Sequence, residues 1–375
     1  MTVPRHDAPV AVILGGTSAE HDVSVRSGTA IVDALRAAGR RVQPVLVDLD
    51  GSWWWLPADH ARSGRPASDY DDPRALAAAG PFTAPVAAGI LAAAEPAVVA
   101  FIALHGPGGE DGLIQGMLDL AGVAYTGSDV AASAIGMDKT VFKRLADEMG
   151  LPVVPWTRVD AARWRTRPDA VLADLAAMTD AWGSERLIMK PARLGSSVGM
   201  TIAHTPAERP AALAEALAYD TVAIVERCLD HPRELEVSVV GNGPDAIEAY
   251  GPGEVVPGRE FYDYAAKYLT DDARTVPAAD LPAQMAARVR ELALAAYRVA
   301  GADGFARVDF LLDGEAIYLS EINTIPGFTE ISLFPHMCAA AGLSMPALCD
   351  RIVSLAIERA AATTAPRLTP ADLPR

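Results

Sequence analysis

The chain has 375 residues, 51% hydrophobic and 21% charged, a soluble, folded composition and more chain than one core usually serves; two or three domains are expected. Lys and Arg number 32 against 48 Asp and Glu. The net charge of −16 excludes broad attraction to a nucleic-acid backbone, although local lysines can still hold a small phosphorylated ligand.

In chain order, "PVAVIL" (9–14) reads as a short buried strand, followed by a glycine turn and a helical pattern ending at Gly39. "RVQPVLVD" (41–48) is a second strand. Residues 51–95, rich in Trp, Pro and Asp, read as an inserted loop or hairpin. Residues 87–104 approach the length of a membrane span, but Glu95-Pro96 splits them into a helix end and a buried strand. The apolar part of "MTVPRHDAPVAVILGG" is too short for a secretory signal. Cys228, Cys338 and Cys349 have no metal-type spacing, so a cytoplasmic protein with buried thiols is expected. Strand–helix–strand order over this first stretch argues an open parallel sheet with helices on its faces.

"GMDKTVFKRLADEMGLPVVPW" places Met137, Val141, Leu145 and Met149 on one helical stripe that stops at Gly150 and Pro152. "RLIMKPARLGSSVGMTIA" (186–203) reads as two strands joined by a Gly-Ser loop, and "DTVAIVERCLD" (220–230) as a further buried strand. A helix over 283–300 carries Met285, Val289, Leu292, Ala296 and Val299 inward, and two strands, "ARVDFLLD" and "AIYLSEIN", follow it. Domains are therefore expected over 1–135, 136–232 and 233–375, in a mixed α/β and α+β fold.

The last hairpin carries the clearest chemistry. A three-residue loop, Gly314-Glu315-Ala316, would set Asp309 opposite Glu321, with Asn323 pointing the same way. Three oxygen ligands on one face fit a hard cation such as Mg²⁺; the alternative is the solvated polar face of an edge hairpin. In "KPARLGSSVGM" (190–200), glycines and serines let backbone N–H groups approach phosphates, and Lys190 adds a fixed charge. It is not a Walker loop, because the lysine precedes the glycines. Lys139 is either a second phosphate contact or a surface lysine.

The blocks "LGGTSAEHDVSVRSG", "LHGPGGEDGLIQGML", "MKPARLGSSVGM", "FYDYAAKYL", "RVDF" and "EINTIPGFTEISLFP" occur in the order of the D-alanine–D-alanine ligases of the ATP-grasp superfamily, which the chain resembles. The resemblance implies an ATP-grasp fold, with an N-terminal open parallel α/β domain followed by two α+β domains that clamp ATP. It implies ATP-dependent ligation of two D-alanines through a D-alanyl phosphate (EC 6.3.2.4), serving peptidoglycan precursor synthesis. Asp309, Glu321 and Asn323 match the ligands of two Mg²⁺ ions, for which Mn²⁺ can substitute. Lys139 and Lys190 match phosphate-binding lysines, in a nucleotide site shared with Ser196 and Ser197. Glu226 and Leu229 match the adenine and ribose contacts, although Glu226 reads equally as a surface glutamate.

Glu20 matches the residue fixing the first D-alanine's ammonium, or is simply an acid near a helix N-terminus. His105 matches a residue beside the first substrate, or is a buried histidine bonded to backbone. Arg307 and the N–H of Gly327 match the pair stabilising the tetrahedral oxyanion. Ser332 and Leu333 match the seat of the second carboxylate. Lys267 and Tyr268 match a mobile loop that closes the site, with Tyr268 latching onto Glu20 and Ser196; the alternative is an ordinary surface loop. Relatives that make the D-lactate ester lack this Lys-Tyr pair, so the dipeptide is expected. The partners implied are small molecules, with no nucleic acid or membrane, and a homodimer by family habit. D-lactate, D-serine or another amino acid as second substrate, and an inactive nucleotide-binding regulator, are the alternatives.

Overall fold

The computed structural model describes residues 3–256 and 274–362, so Lys267 and Tyr268 lie outside the described residues. The first stretch runs β1 (Val10–Gly15), α1 (His21–Ala37), β2 (Val42–Val47), β3 (Trp53–Trp55), β4 (Ala79–Phe82), α2 (Ala84–Ala92), β5 (Val99–Ile102), α3 (Leu113–Ala121) and β6 (Ala124–Tyr125). Its six strands are ordered β4-β3-β2-β1-β5-β6. β1, β2, β5 and β6 pair in parallel, and the Trp-rich segment adds β3 and β4 antiparallel at one edge. β1 is buried along its whole length, as the central strand of a sheet covered on both faces must be. α1 packs so closely on it that a Cβ at Gly28 would collide with the side chain of Leu14.

Next come α4 (Val130–Met137) and α5 (Lys139–Glu148). Asp138 separates them and caps α5, its carboxylate accepting the N–H groups of Thr140 and Val141. Here the predicted stripe is overturned. Val141 and Met149 are exposed, and α5 instead buries Lys139, Thr140, Phe142, Lys143 and Ala146. The buried face packs Phe142 and Ala146 into the core, and beside them two lysines one turn apart face acidic partners across the site.

β7 (Trp156–Asp160), α6 (Ala161–Thr166), α7 (Pro168–Trp182), β8 (Leu187–Pro191), β9 (Thr201–Ala203), α8 (Arg209–Tyr219) and β10 (Val222–Arg227) form a four-stranded antiparallel sheet, ordered β7-β10-β8-β9, backed by helices. The last stretch runs β11 (Arg233–Asn242), β12 (Ala246–Val256), β13 (Arg274–Val276), α9 (Ala283–Ala300), β14 (Gly304–Asp313), β15 (Ala316–Asn323), α10 (Leu333–Ala340) and α11 (Met345–Ala362). Its five strands are ordered β13-β12-β11-β14-β15. α9 buries Val289, Leu292 and Ala296 as predicted, together with Ala293 and Tyr297.

The first and last stretches share one core. Val12, Leu14 and Phe101 pack in the same cluster as Phe305, Phe328, Phe334, Leu348 and Ile352. Within it, the Phe328 ring lies 5.3 Å from that of Phe334 and 5.8 Å from that of Phe305. α11 is bolted across by Arg359, which donates to the carbonyls of Tyr125 and Gly127 and stacks over the Tyr125 ring. Among the described residues no single helix is long and apolar enough to cross a membrane.

Candidate active site

Asp309 does face Glu321, but not through the loop that the sequence suggests. β14 and β15 meet in a tight turn with Asp313 opposite Ala316, leaving only Gly314 and Glu315 between them. Carried on without a break, that register would pair Asp309 with Ser320 and throw Glu321 to the other face. A β-bulge at Ser320 corrects the register by one residue. Leu319 opposite Phe310 and Ile322 opposite Val308 stay in the core, while Glu321 and Asn323 come round to meet Asp309 and Arg307. On the other side of β14, Glu236 of β11 stands opposite Asp309. Three carboxylates thus line up across three strands.

Arg307 neutralises part of this row. Its Nε and Nη2 donate to the two Asp309 oxygens at 2.7 and 2.6 Å, and Nε lies 3.3 Å from Glu236. Burial alone would lower the guanidinium's pKa, but Asp309 and Glu236 outweigh it and hold it well above the usual value. The Asn323 amide oxygen accepts the Ile325 N–H at 3.1 Å. Among the described residues no group of three His, Cys, Asp or Glu side chains is arranged as a metal site. Asp309, Glu321 and Asn323 share this face, an all-oxygen set that fits a hard divalent cation completed by water and phosphate.

Above this row, a cleft of about 400 Å³ opens between the two antiparallel sheets. Lys139 Nζ reaches into it, 3.2 Å from Glu321 and 2.9 Å from the carbonyl of Leu194, so it is no surface lysine. Glu226 is no surface glutamate either; it is 4% exposed and ion-paired with Lys143 and, at 2.7 Å, with Lys190. Burial pushes its carboxyl up, but the two lysines win and bring it to about 2. Lys190 is held above the usual lysine range, burial being outweighed by Glu226 and Glu321. Leu229 lines the same cleft. So do Ser196 and Ser197, which sit at φ of 53° and 59°. Two successive non-glycine residues in the left-handed region store about 1–3 kcal/mol each, a cost a surface turn would avoid.

The cleft opens into a smaller pocket of about 120 Å³, with Ser196, Glu236, Arg307 and Glu321 in the shared wall. Glu20 begins α1 but does not cap it; its carboxylate accepts from the Ser196 hydroxyl, tying the first stretch to the Gly-Ser loop. His105 has both ring nitrogens engaged, Nδ1 with the Ile325 carbonyl and Nε2 with Ser27, each at 2.9 Å. Burial keeps the ring below the usual histidine pKa and therefore neutral. It lines the pocket as a fixed wall, as the reading of a backbone-bonded histidine anticipates.

Glu110 accepts the Gly106 N–H at 2.6 Å, and burial together with Glu20 raises its carboxyl well above the usual range. Gly327 passes so close to Ser332 that a Cβ would lie 2.7 Å from its hydroxyl. That hydroxyl accepts the Thr329 N–H at 3.0 Å rather than capping α10, whose first residue, Leu333, also lines the pocket.

All the described site residues singled out from the sequence therefore line one cleft and its side pocket. Sequence reasoning missed Glu236, Glu110, Lys143 and Ser27. Signals existed for three of them. Glu236 alternates with buried Leu235 and Val237, Lys143 lies one turn after Lys139, and Glu110 sits within "LHGPGGEDG".

Comparison with known proteins agrees across the chain. The family model described as D-ala D-ala ligase N-terminus matches residues 9–128, and that described as D-ala D-ala ligase C-terminus matches residues 145–354. A D-alanine–D-alanine ligase of Chlorobium phaeovibrioides is 39% identical, covering 93% of this chain and 97% of its own length. One of Bradyrhizobium sp. strain BTAi1 is 41% identical over 93% of this chain and 95% of its own. Among solved structures, the D-alanine-D-alanine ligase from Coxiella burnetii superposes with a TM-score of 0.75 at 29% identity, covering 94% of this chain and 96% of that one. The VanG D-Ala:D-Ser ligase from Enterococcus faecalis gives a TM-score of 0.76 at 27% identity, covering 93% and 99%. The fold is ATP-grasp, and the chain belongs to the D-alanine–D-alanine ligase family.

Proposed function

We infer that this chain is a D-alanine–D-alanine ligase (EC 6.3.2.4), forming the dipeptide for peptidoglycan precursor synthesis. The observation that carries the site assignment is the row Glu236–Asp309–Glu321 beside Arg307, lying where a nucleotide-sized cleft meets a pocket of amino-acid size.

ATP occupies the cleft, its base and ribose toward Glu226 and Leu229 and its phosphates toward Lys139, Lys190 and the N–H groups around Ser196 and Ser197. Asp309, Glu321 and Asn323 would hold two Mg²⁺ ions, or Mn²⁺ in their place, which when bound offset the charge on the phosphates. Glu20 anchors the ammonium of the first D-alanine, whose carboxylate oxygen attacks the γ-phosphorus and releases ADP. The amine of the second D-alanine, its carboxylate seated at Ser332 and Leu333, then attacks the acyl phosphate carbon. Arg307 and the Gly327 N–H take up the charge on the tetrahedral oxygen, a role worth roughly 3–4 kcal/mol per donor, and phosphate leaves with its electron pair. Lys267 and Tyr268, by resemblance, close the site against water.

The family resemblance also supports a homodimer, and the sparse cysteines a cytoplasmic setting. Nucleic acid and membrane are not among the partners we propose.

The test is phosphate release and product analysis with D-alanine, D-lactate and D-serine across pH. D-alanine alone should support turnover and yield the dipeptide. Preference for D-lactate or D-serine at neutral pH would replace the acceptor and keep the chemistry, an alternative favoured by the likeness to the D-Ala:D-Ser ligase. ATP hydrolysis indifferent to any D-amino acid, or no turnover, would instead point to a nucleotide-binding regulator.

A further inference from the structure

The loop after β15 carries the Gly327 N–H, and its two flanks are held from the first stretch of the chain. Before Gly327, the Ile325 carbonyl accepts from His105 Nδ1 at 2.9 Å. After it, the Phe328 N–H donates to Ser27 Oγ at 3.1 Å. The two anchors are joined to each other, because Ser27 Oγ lies 2.9 Å from His105 Nε2.

The directions of these bonds are forced. A carbonyl oxygen can only accept, so Nδ1 carries the ring proton and Nε2 is the acceptor. The Ser27 hydroxyl therefore donates to His105 and, through its oxygen, accepts from Phe328. One hydroxyl satisfies both partners, while the Ile325 carbonyl sets the tautomer of the ring.

The rest of the surroundings permit little slack. Ser27 is fully buried and His105 is 6% exposed. The His105 backbone is pinned by two more serines of the same segment, its N–H donating to Ser24 Oγ at 2.9 Å and its carbonyl accepting from Ser18 Oγ at 2.7 Å. The Phe328 ring is locked among Phe101, Phe305 and Phe334.

We propose that Ser27 is a positioning residue, a two-way clamp that sets the Gly327 N–H against the first-substrate wall by holding His105 and Phe328 together. Ser27 lines neither the cleft nor the pocket. It acts on the step in which charge collects on the tetrahedral oxygen, and leaves phosphoryl transfer to the cleft. The proposal rests on the ligase reading above.

The test separates the two half-reactions. Scrambling of the β–γ bridge oxygen of isotope-labelled ATP in the presence of the first D-alanine reports acyl phosphate formation, and dipeptide release reports the whole sequence. Ser27→Ala should slow dipeptide formation about 10–100-fold while exchange stays within about threefold of wild type. Ser27→Thr, which keeps the hydroxyl, should restore the wild-type ratio of the two rates. An unchanged ratio in Ser27→Ala, or equal losses in both assays, overturns the proposal. If the alanine variant does not fold, Ser27→Cys, with its weaker hydrogen bonds, carries the same comparison. Wild-type protein that makes no dipeptide would instead sink the ligase reading itself.

Discussion

Two carboxylates in the small pocket illustrate how neighbours divide the work of ionisation. Glu20 accepts from Ser196 and is the proposed ammonium anchor, whereas Glu110, half-buried beside it, is driven toward its neutral form by desolvation and then by Glu20. Because the folded-state pKa of Glu110 is raised, its protonated form is favoured by folding. The contribution of Glu110 to stability is therefore fullest below the ordinary carboxyl value of 4.5 and is lost as pH rises from there through the raised value. The slope over that window approaches about 1.4 kcal/mol per pH unit. Glu110→Gln keeps an acceptor for the Gly106 N–H and cannot ionise. Urea unfolding at stepped pH should show the wild-type decline and a flatter curve for the variant, with the two converging in acid. A variant that declines as steeply would show that Glu110 is already charged in the folded protein.

At the scale of elements, the bulge at Ser320 is the device on which the proposed cation site depends. Strand alternation makes a one-residue slip equivalent to turning the strand over, so a single extra residue decides whether Glu321 joins Asp309 or faces the other way. Deleting Ser320 removes the extra residue yet leaves Glu321 opposite Asp309 and Ile322 opposite Val308. That deletion should retain Mg²⁺-dependent ATP binding within about tenfold, a change of about 1.4 kcal/mol in binding free energy, measured by calorimetry. Complete loss would mean that the local twist of the bulge, and not register alone, shapes the site. α5 makes the matching point for helices, since its buried face is the one that carries Phe142 and Ala146 together with the paired Lys139 and Lys143, and Val141 is left to water.

On the scale of the whole molecule, the site is a seam. Glu20 and His105 come from the loops that follow β1 and β5 of the six-stranded sheet, Lys190 and Glu226 from the four-stranded sheet, and Arg307, Asp309 and Glu321 from the five-stranded one. A ligand bridging such parts stabilises the folded state by mass action, about 2.7 kcal/mol at a hundredfold excess over Kd. ATP with Mg²⁺ should therefore raise the melting temperature. Adding EDTA should remove most of that rise and abolish turnover, because the phosphates would then face Asp309 and Glu321 without a cation between them. An ATP-induced rise indifferent to EDTA would contradict the cation role given to the row.

Much of this was legible in the residues themselves. Parallel strands buried on both faces leave continuous apolar runs such as "PVAVIL", and the ordered blocks from "LGGTSAEHDVSVRSG" to "EINTIPGFTEISLFP" mark family and reaction and hold candidate residues that line the cleft and its side pocket, because chemistry demands particular side chains at particular steps. What remained hidden depends on contacts between segments far apart in the chain. The short turn and compensating bulge, the rotation of α5, the Lys143–Glu226–Lys190 triad and the Ser27–His105 clamp on the Gly327 loop each need a partner that local periodicity does not contain. Propensity and alternation are short-range properties, while the pairing of buried charges and hydrogen-bonding groups is decided only when the elements pack.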